Sequence, residues 1–436
     1  MMRKLFILIA LCFLSFLSYS QKKVYSLHEC IEIAQKNNLD IREKRLTHEQ
    51  KGVAYQQARA NLLPNLNASV GQNFIFGRSI GIDNTYQNTN SLQTSFALSS
   101  SFTIFDGLKM KHDIEARKAY LAASDADLDK IKEDIAINVS TAFLLVLMNK
   151  ELVQIATDQI ELSKYNISRK KELVNSGKSL HGEVLELESQ LAKENFNLVN
   201  AENKLKLSKL DLMQIMELED LEDFDISIET LDSLFEEGLI FLNNSVYENA
   251  FNNRPEIRSI KFQIDAAKNE LLAAKSQYFP SISLGAQMNT GYYKMNGRDN
   301  ISFNSQIQNN LSNSIGVTLN IPIFNRFQVR NAVKNMNIIL EKTKLNESKA
   351  KIELRKHIDQ AFYNALAAQS RLEAAQKSET ANREALRFVQ EKYENGRATS
   401  YELFQAKNIL IQVLGEKTQA KYEYAFRLKI LKFLVK

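Results

Sequence analysis

Between Pro64 and Phe105 apolar and polar positions alternate. Leu66, Ala68, Val70, Phe74 and Phe76 fall on even numbers, and Asn65, Asn67, Ser69, Gly71 and Asn73 on odd ones. Past a polar loop, Leu92, Phe96, Leu98, Phe102 and Ile104 alternate with Gln93, Ser95, Ser99, Ser101 and Thr103. A period of two predicts a pair of strands with one apolar and one polar face. In a soluble sheet the polar face carries Lys and Glu, but residues 65–76 and 92–105 hold no charge in a chain that is 25% charged. An uncharged apolar face opposite one of Asn, Ser, Thr and Gln is the pattern of a membrane barrel wall around water.

The flanking pattern is helical. Ser26 and Glu29 have the spacing of a capping box opening a short helix to Asn37. A second helix spans Asp40 to Leu63, and Pro64 marks the switch to extended chain. From Leu108 to Asn175 there is neither Pro nor Gly, which predicts a helical rod on the order of 100 Å long at ~1.5 Å per residue. Asn175-Ser176-Gly177 breaks it. A return helix to Met216 then carries a heptad, with Val184, Leu191, Leu198, Leu205 and Leu212 at one position and Leu187, Ala201 and Ile215 at the other. A seven-residue repeat demands a partner helix. Residues 217–237 form an acidic connector with ten carboxylates and no Lys or Arg, within which 224–228 could make a brief strand.

The second half repeats the first at an offset of 216 to 219 residues. Asn37-Asn38-Leu39-Asp40-Ile41 returns as Asn253-Arg254-Pro255-Glu256-Ile257, and Pro64 returns as Pro280. A third strand (Ile282, Leu284, Ala286, Met288, Tyr292) and a fourth (Ile315, Val317, Leu319, Ile321, Ile323) follow, each alternating with Ser, Gly, Gln, Asn or Thr. Ile104-Phe105-Asp106 reappears as Ile323-Phe324-Asn325, and a second rod, Gln328 to Glu394, ends at Asn395-Gly396. Leu403, Leu410, Tyr424 and Leu431 resume the heptad to the end of the chain. One period this long marks a duplicated half and not a solenoid.

Composition narrows the setting. Arg3 and Lys4 precede an apolar run from Leu5 to Leu17 and a small-x-small site at Ser18-Tyr19-Ser20, the pattern of an export signal, with the mature chain expected to begin near Gln21. Cys12 follows Leu11, which disfavours lipid attachment, and Cys30 alone remains, so no internal disulfide forms. No later stretch approaches 18 consecutive apolar residues. A net charge of +5 is too small to argue for nucleic acid.

An open four-stranded sheet cannot sit in lipid, because each unpaired backbone group costs several kcal/mol. Closure needs about eight strands or more, hence two or more chains. Aromatics at the strand ends (Phe74, Phe76, Tyr292 and Tyr293; Phe102, Phe105, Tyr278 and Phe279) have the placement of interfacial girdles.

The duplicated order of helix, strand, loop, strand, long helix, break and helix resembles the TolC-type outer-membrane efflux family over nearly the whole mature chain. Its carriers are Pro64 and Pro280, Phe105-Asp106-Gly107 with its echo Phe324-Asn325, and Lys392-Tyr393-Glu394-Asn395-Gly396 with Glu402-Leu403 and Gln405-Ala406. The resemblance implies an α+β fold in which four strands per chain complete a trimeric 12-stranded barrel, with long helices forming a periplasmic coiled-coil barrel. It implies an outer-membrane, Gram-negative location in contact with outer-membrane lipid, a homotrimer, and docking to a periplasmic adaptor and an inner-membrane pump. The expected segments are a signal peptide (1–20), helices (21–63), strand pair one (64–105, extracellular loop 77–90), long and return helices (106–216), a connector (217–245), helices (246–279), strand pair two (280–324, loop 294–310) and the second long and return helices (325–436). The family's tunnel closes at its periplasmic tip. Glu402 falls at a pore-facing acidic position six residues after Gly396, and Gln405 where a second acid follows. Glu183 and Glu186 match them in the first half, with Gly177 and Gly396 as hinges. The family's gate Arg would sit at Ala398, and Arg397 is one position off. Three copies of one Glu around a narrow tunnel would attract cations and raise each other's pKa. The plainer reading is a solvated Glu near a helix start, favoured by the helix dipole.

Enzymatic readings have little support. Ser176-Gly177-Lys178-Ser179 resembles the end of a phosphate loop, but Glu172 occupies the place of the first Gly. His28, His48, His112, His181 and His357 show no ligand spacing, and neither metal nor cofactor is expected. The alternative is a periplasmic coiled-coil adaptor or scaffold without a pore. The four uncharged strands and the duplication argue against it. Substrate, pump and adaptor are not legible.

Overall fold

The computed structural model describes residues 23–80, 84–88, 90–219, 224–227, 242–295 and 299–435. The expected signal segment lies outside them, as do most of the acidic connector and parts of loops 77–90 and 294–310. In chain order the first half contains β1 (Lys23–Tyr25), α1 (Leu27–Asn37), α2 (Leu39–Ala60), β2 (Asn67–Ile75), β3 (Arg78–Ile80), β4 (Tyr86–Asn88), β5 (Ser91–Phe105), α3 (Lys109–Asn175), α4 (His181–Ile215) and β6 (Phe224–Ile226). The second contains α5 (Asn244–Asn253), α6 (Pro255–Ser276), β7 (Ser281–Met295), α7 (Phe303–Asn309), β8 (Ser312–Asn320), α8 (Gln328–Glu394) and α9 (Ser400–Val435). No helix of the described residues is long and apolar enough to cross a membrane.

The chain forms two compact units. The first holds the residues up to Arg45, Asp127–Ile257 and Ala350–Lys436. Its main core packs Leu27, Cys30 and Ala34 of α1 against Val139 and Phe143 of α3, Leu212 and Met213 of α4, and Tyr422 and Ala425 of α9. The capping box is present: the Glu29 N–H donates to Ser26 Oγ (3.3 Å), and the Ser26 N–H donates to Glu29 Oε2 (2.8 Å). Burial raises the Cys30 thiol pKa to about 12, leaving the thiol neutral and inert. Phe224 stacks on Tyr25 at 5.5 Å where β6 pairs in parallel with β1. β1 is too short to display a period and was missed. Lys150 (3.3 Å) and Lys209 (3.1 Å) flank Asp225 of β6. Although burial opposes it, the Ile226 N–H and the two ammonium groups hold that carboxyl below its usual range.

The duplication appears here as two matching anchors. Asn38 Oδ1 accepts from the Asp40 and Ile41 N–H groups at the start of α2, while its Nδ2 donates to the Ile215 carbonyl closing α4 (3.2 Å). At the repeat position, Arg254 Nη1 donates to the Phe433 carbonyl near the end of α9 (2.8 Å) and to Glu133 Oε2 (2.7 Å), and Nε donates to Glu256 (3.2 Å). Each half thus ties the end of its return helix to the junction before its second helix. Pro255 suits the first turn of α6, where no N–H is needed.

The second unit holds Leu46–Ala126 and Arg258–Lys349. Its centre is an antiparallel sheet in the order β2-β5-β7-β8, so the two predicted strand pairs join through β5 and β7. The register aligns like with like. Ala68, Leu98 and Met288 form one apolar row, and Phe102, Leu284 and Val317 another; Asn67, Ser99, Gln287 and Ser314 line up on the opposite face. Both faces are open: on the apolar one Val70 is 71% exposed and Ile315 81%, and on the polar one Asn67, Ser69 and Ser314 are exposed. β8 ends at Asn320 and does not reach Ile323, because Pro322 lacks a ladder donor. α2 stops at Ala60, and turn hydrogen bonds of Leu62 and Leu63 to Arg59 and Ala60 lead into Pro64.

Both expected loops contain structure. β3 pairs with β4, with Arg78 over the Tyr86 ring at 5.7 Å. α7 lies along β7 beyond its last pairing with β8. There Gln306 Oε1 accepts from the Tyr293 N–H, and its Nε2 donates to the Tyr293 carbonyl (both 2.9 Å). A side-chain amide thus replaces a missing strand. Three residues or seven are too few for a periodic signal.

The turn between β5 and α3 is the tightest point. Gly107 has φ +69°, and a Cβ there would lie 2.4 Å from the Ser276 carbonyl oxygen and 2.9 Å from Phe279 Cβ. Gly107→Ala should destabilise the protein by more than about 1 kcal/mol, seen as a lower melting temperature by circular dichroism in detergent. Gly182→Ala, with nothing within 4 Å of the added carbon, should leave it unchanged or raise it.

Candidate functional site

Two sets of residues carry the expected function: the sheet face of the second unit and the paired hairpin tips of the first. The polar sheet face presents Asn67, Ser69, Gly71 and Asn73 of β2, Ser95, Ser99 and Ser101 of β5, Gln287 and Asn289 of β7, and Ser314, Gly316 and Thr318 of β8. It is uncharged, and short hydrogen bonds stitch it, such as Ser101 Oγ to Asn65 Oδ1 at 3.0 Å. Pro64 lies just ahead of β2 and Pro280 just ahead of β7, both at the helix-to-strand switch. Such a surface hydrates a passage without binding what passes.

The tips close by one device used twice. At the end of α3 the Gly177 N–H donates to the Val174 carbonyl (2.9 Å) and the Lys178 N–H to Leu173 (2.8 Å). At the end of α8 the Gly396 N–H donates to Tyr393 (3.0 Å) and the Arg397 N–H to Lys392 (2.8 Å). Both are Schellman motifs, with glycines at φ +73° and +68°. Glycine adopts this backbone without strain, whereas the same turn after α4 places Glu217 at φ +54°.

The acids at the two tips are used differently. Glu183, the third residue of α4, forms an ion pair with Lys170 of α3 and accepts from Ser179 Oγ (2.7 Å). These hydrogen bonds, Lys170 first, hold its carboxyl below the usual range. Burial depresses the Lys170 pKa, but Glu183 and Tyr393 together outweigh it and the ammonium titrates above its ordinary value. Lys170 also sits 5.0 Å from the centre of the Tyr393 ring. Glu186 accepts from Ser400 Oγ at 2.9 Å, a link between the two hairpins, and Arg169 meets Glu394 at 3.5 Å. Glu402 instead completes a capping box: the Thr399 N–H (2.7 Å) and Oγ1 (2.9 Å) donate to Glu402 Oε2, and the Glu402 N–H donates to Thr399 Oγ1 (3.2 Å). The Thr399 backbone bond, then its hydroxyl, lowers the Glu402 pKa. Gln405 and Arg397 are exposed. The cap at Thr399 was not anticipated, although Thr-x-x-Glu is a spacing that signals one; Lys170 and Tyr393, far apart in the chain, carried no such signal.

This combination of fold and tips has relatives. A profile of the outer membrane efflux protein family matches residues 30–216 and 246–435. The chain belongs to that family. It is an outer-membrane efflux protein. Toxin and drug export protein A of Aggregatibacter actinomycetemcomitans is 22% identical over 408 residues, spanning 91% of this chain and 83% of that protein. Among solved structures, CusC superposes with a TM-score of 0.80 at 17% identity, over 94% of this chain and 91% of the other. The CmeC outer membrane channel of Campylobacter jejuni gives 0.75 at 16% identity, over 94% and 85%. The α+β fold with its duplicated halves is thus that of outer-membrane channels.

The Lys170–Glu183 pair has a defined pH window. Glu183 titrates below its ordinary value of 4.5, so its contribution is present above that value and is lost as pH falls through the lowered one. Lys170 titrates above 10.5, so its contribution is present below that value and is lost as pH rises through the raised one. Hydrogen exchange of the Gly177–Leu180 amides, corrected for intrinsic rate, should be slow and flat between those limits and should quicken below the lower one. In Lys170→Met it should be faster at neutral pH and lose the acid step.

Proposed function

We propose that three copies of this protein close into a 12-stranded barrel in the outer membrane, continued by a helical tunnel in the periplasm of a Gram-negative cell. The trimer would serve as the passive, non-enzymatic outlet of a tripartite efflux or type I secretion system, meeting a periplasmic adaptor and an inner-membrane pump. The observation that carries this reading is the sheet: free of charge apart from Lys294 near the end of β7, exposed on both faces, and ending in β2 and β8 with no further strand among the described residues. One neighbouring copy supplies the missing strand at the β2 edge and the other at the β8 edge. The helices support the same assembly, because Ile338, Leu345 and Ile352 of α8 recur every seven residues and are all exposed, as a seam awaiting a neighbour is. Toxins and drugs are the cargo in the curated relative's name, and the wall of Ser, Asn, Thr and Gln is generic enough for small amphipathic solutes whose choice is made by the pump.

In this reading the tips are the gate, with Gly177 and Gly396 as hinges. Glu402 and Glu183, beside Glu186, Gln405 and Arg397, set the charge at the constriction. A ring of three Glu402 carboxylates is supported by their exposure and by a capping bond that keeps them ionised.

Outer-membrane fractionation with heat-modifiable mobility on gels tests the assembly; a soluble monomer would overturn it. Glu402→Gln tests the gate, since Gln preserves the capping box while removing the charge. In planar bilayers it should lower cation selectivity several-fold, and unchanged selectivity would remove Glu402 from the constriction.

A further inference from the structure

The two turns that lead from the sheet into a rod are copies of one another, but they differ in charge. At an offset of 219, residues 106–117 correspond to 325–336. The first stretch is balanced, with Asp106, Asp113 and Glu115 beside Lys109, Lys111 and Arg117. There the Met110 N–H donates to Asp106 Oδ2 (2.9 Å), and Lys109 pairs with Asp113 (2.6 Å). In the second stretch every acid is gone. Asn325, Ala332 and Lys334 stand in their places, Arg326 replaces Gly107, and Arg330 keeps the charge of Lys111. The chain holds no acid at all between Asp299 and Glu341. Arg326, Arg330 and Lys334 are all exposed, and none enters an ion pair among the described residues.

What borders these cations is apolar. Ile315, Val317 and Leu319 of β8 are exposed along one face, as is Ile323 past its end. Phe324 and Phe327 follow, also exposed, and their rings meet edge to face with centroids 5.7 Å apart. The Arg330 guanidinium lies 5.7 Å from the centre of the Phe327 ring. The turn holds Arg326 at φ +51° and Phe327 at φ +62°, a region that side chains seldom adopt. An aliphatic strip, then two aromatic rings, then three cations is the sequence of surfaces that hydrocarbon, interface and anionic headgroups would meet.

We propose that the turn between β8 and α8 is a binding site for an anionic phospholipid of the membrane's periplasmic leaflet. An acyl chain lies along the apolar face of β8, and the phosphate sits on Arg326, Arg330 and Lys334. The inference rests on the reading that the sheet closes into an outer-membrane barrel with its rods in the periplasm. Charge selects the lipid. Guanidinium groups bind phosphate oxygens in pairs, and a headgroup that brings its own ammonium meets three like charges, so phosphoglycerol is preferred to phosphocholine. A neighbouring copy does not supply the missing anion. The chain it would bring to the β8 edge, the end of α2 and β2, carries Lys51 and Arg59 but no acid from residue 50 to 75. The first turn, with its own acids, has no such vacancy for an anion.

The chain has no tryptophan, so Ile323→Trp, at a position 93% exposed, supplies a single fluorescent reporter. The full-length variant is placed in nanodiscs of equal parts phosphatidylglycerol and phosphatidylcholine, with bromine on the acyl chains of one lipid or the other. Quenching should report a local excess of phosphatidylglycerol of about fivefold. Adding Arg326→Gln, Arg330→Gln and Lys334→Gln should bring the ratio to one, whereas Lys109→Gln with Lys111→Gln in the first turn should leave it. Arg326→Glu with Arg330→Glu should invert the ratio, a change that misfolding cannot produce. Equal quenching by the two lipids, or an undiminished ratio in the triple glutamine variant, would overturn the site. Loss of the ratio in excess inorganic phosphate at constant ionic strength would assign the cations to free phosphate and also overturn it. Quenching by neither lipid would sink the membrane reading and the site together. Heat-modifiable mobility and bilayer conductance of the same variant report the channel separately, so the site can fail while the channel stands.

Discussion

A sheet cannot end in hydrocarbon. Each unpaired backbone N–H or C=O at its edge costs several kcal/mol in lipid, where water is absent, and this protein has two such edges, on β2 and β8. Much of the second unit follows from that constraint. Apart from Lys294 near the end of β7, the sheet carries no charge, because a charged side chain on a lipid-facing strand is destabilising. Its small residues concentrate on one face, with Gly285 directly opposite Gly316 and beside Ser101, as a face turned to a water-filled passage requires. Its apolar rows lie exposed in the single chain, which is tolerable only when lipid or another copy covers them.

Duplication is the economical way to make such a sheet. Two strands per half, joined through β5 and β7, place the same pattern on the same face twice. The first unit preserves the trace of this history in Asn38 and Arg254. Both hold the last carbonyls of a return helix, but by different means. Asn38 is a neutral cap that satisfies donors and an acceptor at once. Arg254 is a buried guanidinium that needs Glu133 and Glu256 to neutralise it. Burial pushes the Glu133 pKa up while Arg254 pulls it down, so the second anchor is the more demanding of the two to build.

The fold was legible in the sequence wherever a pattern ran long enough to repeat. The four strands, the two rods and the breaks at Gly177 and Gly396 all rest on ten residues or more, or on a glycine that ends a helix without strain. What was missed is short or distant. β1 and β3 have three residues each, and the joining of β5 to β7 is set by register, not by composition. The tip was half legible. Glu402 was expected near a helix start, and Thr399-x-x-Glu402 has the spacing of a cap that was passed over, whereas the Lys170–Glu183 pair and the Tyr393 ring come together only through the packing of the helices.

The tips also explain why two glutamates at equivalent repeat positions are used differently. Offset by 219, Glu183 corresponds to Glu402, Leu180 to Thr399 and Lys170 to Val389. Leu180 heads α4 without any side-chain cap, so Glu183 has nothing to close a capping box with and turns to the ammonium across the hairpin. Thr399 offers a hydroxyl and an N–H, and Val389 offers no charge, so Glu402 caps its own helix and leaves α8 unbound by that side chain. The first tip is therefore pinned by a charge pair between its helices, and the second is held at this position only by its turn. Opening that begins at the second tip has no ion pair of this kind to break, and this asymmetry follows from two substitutions beside a shared acid.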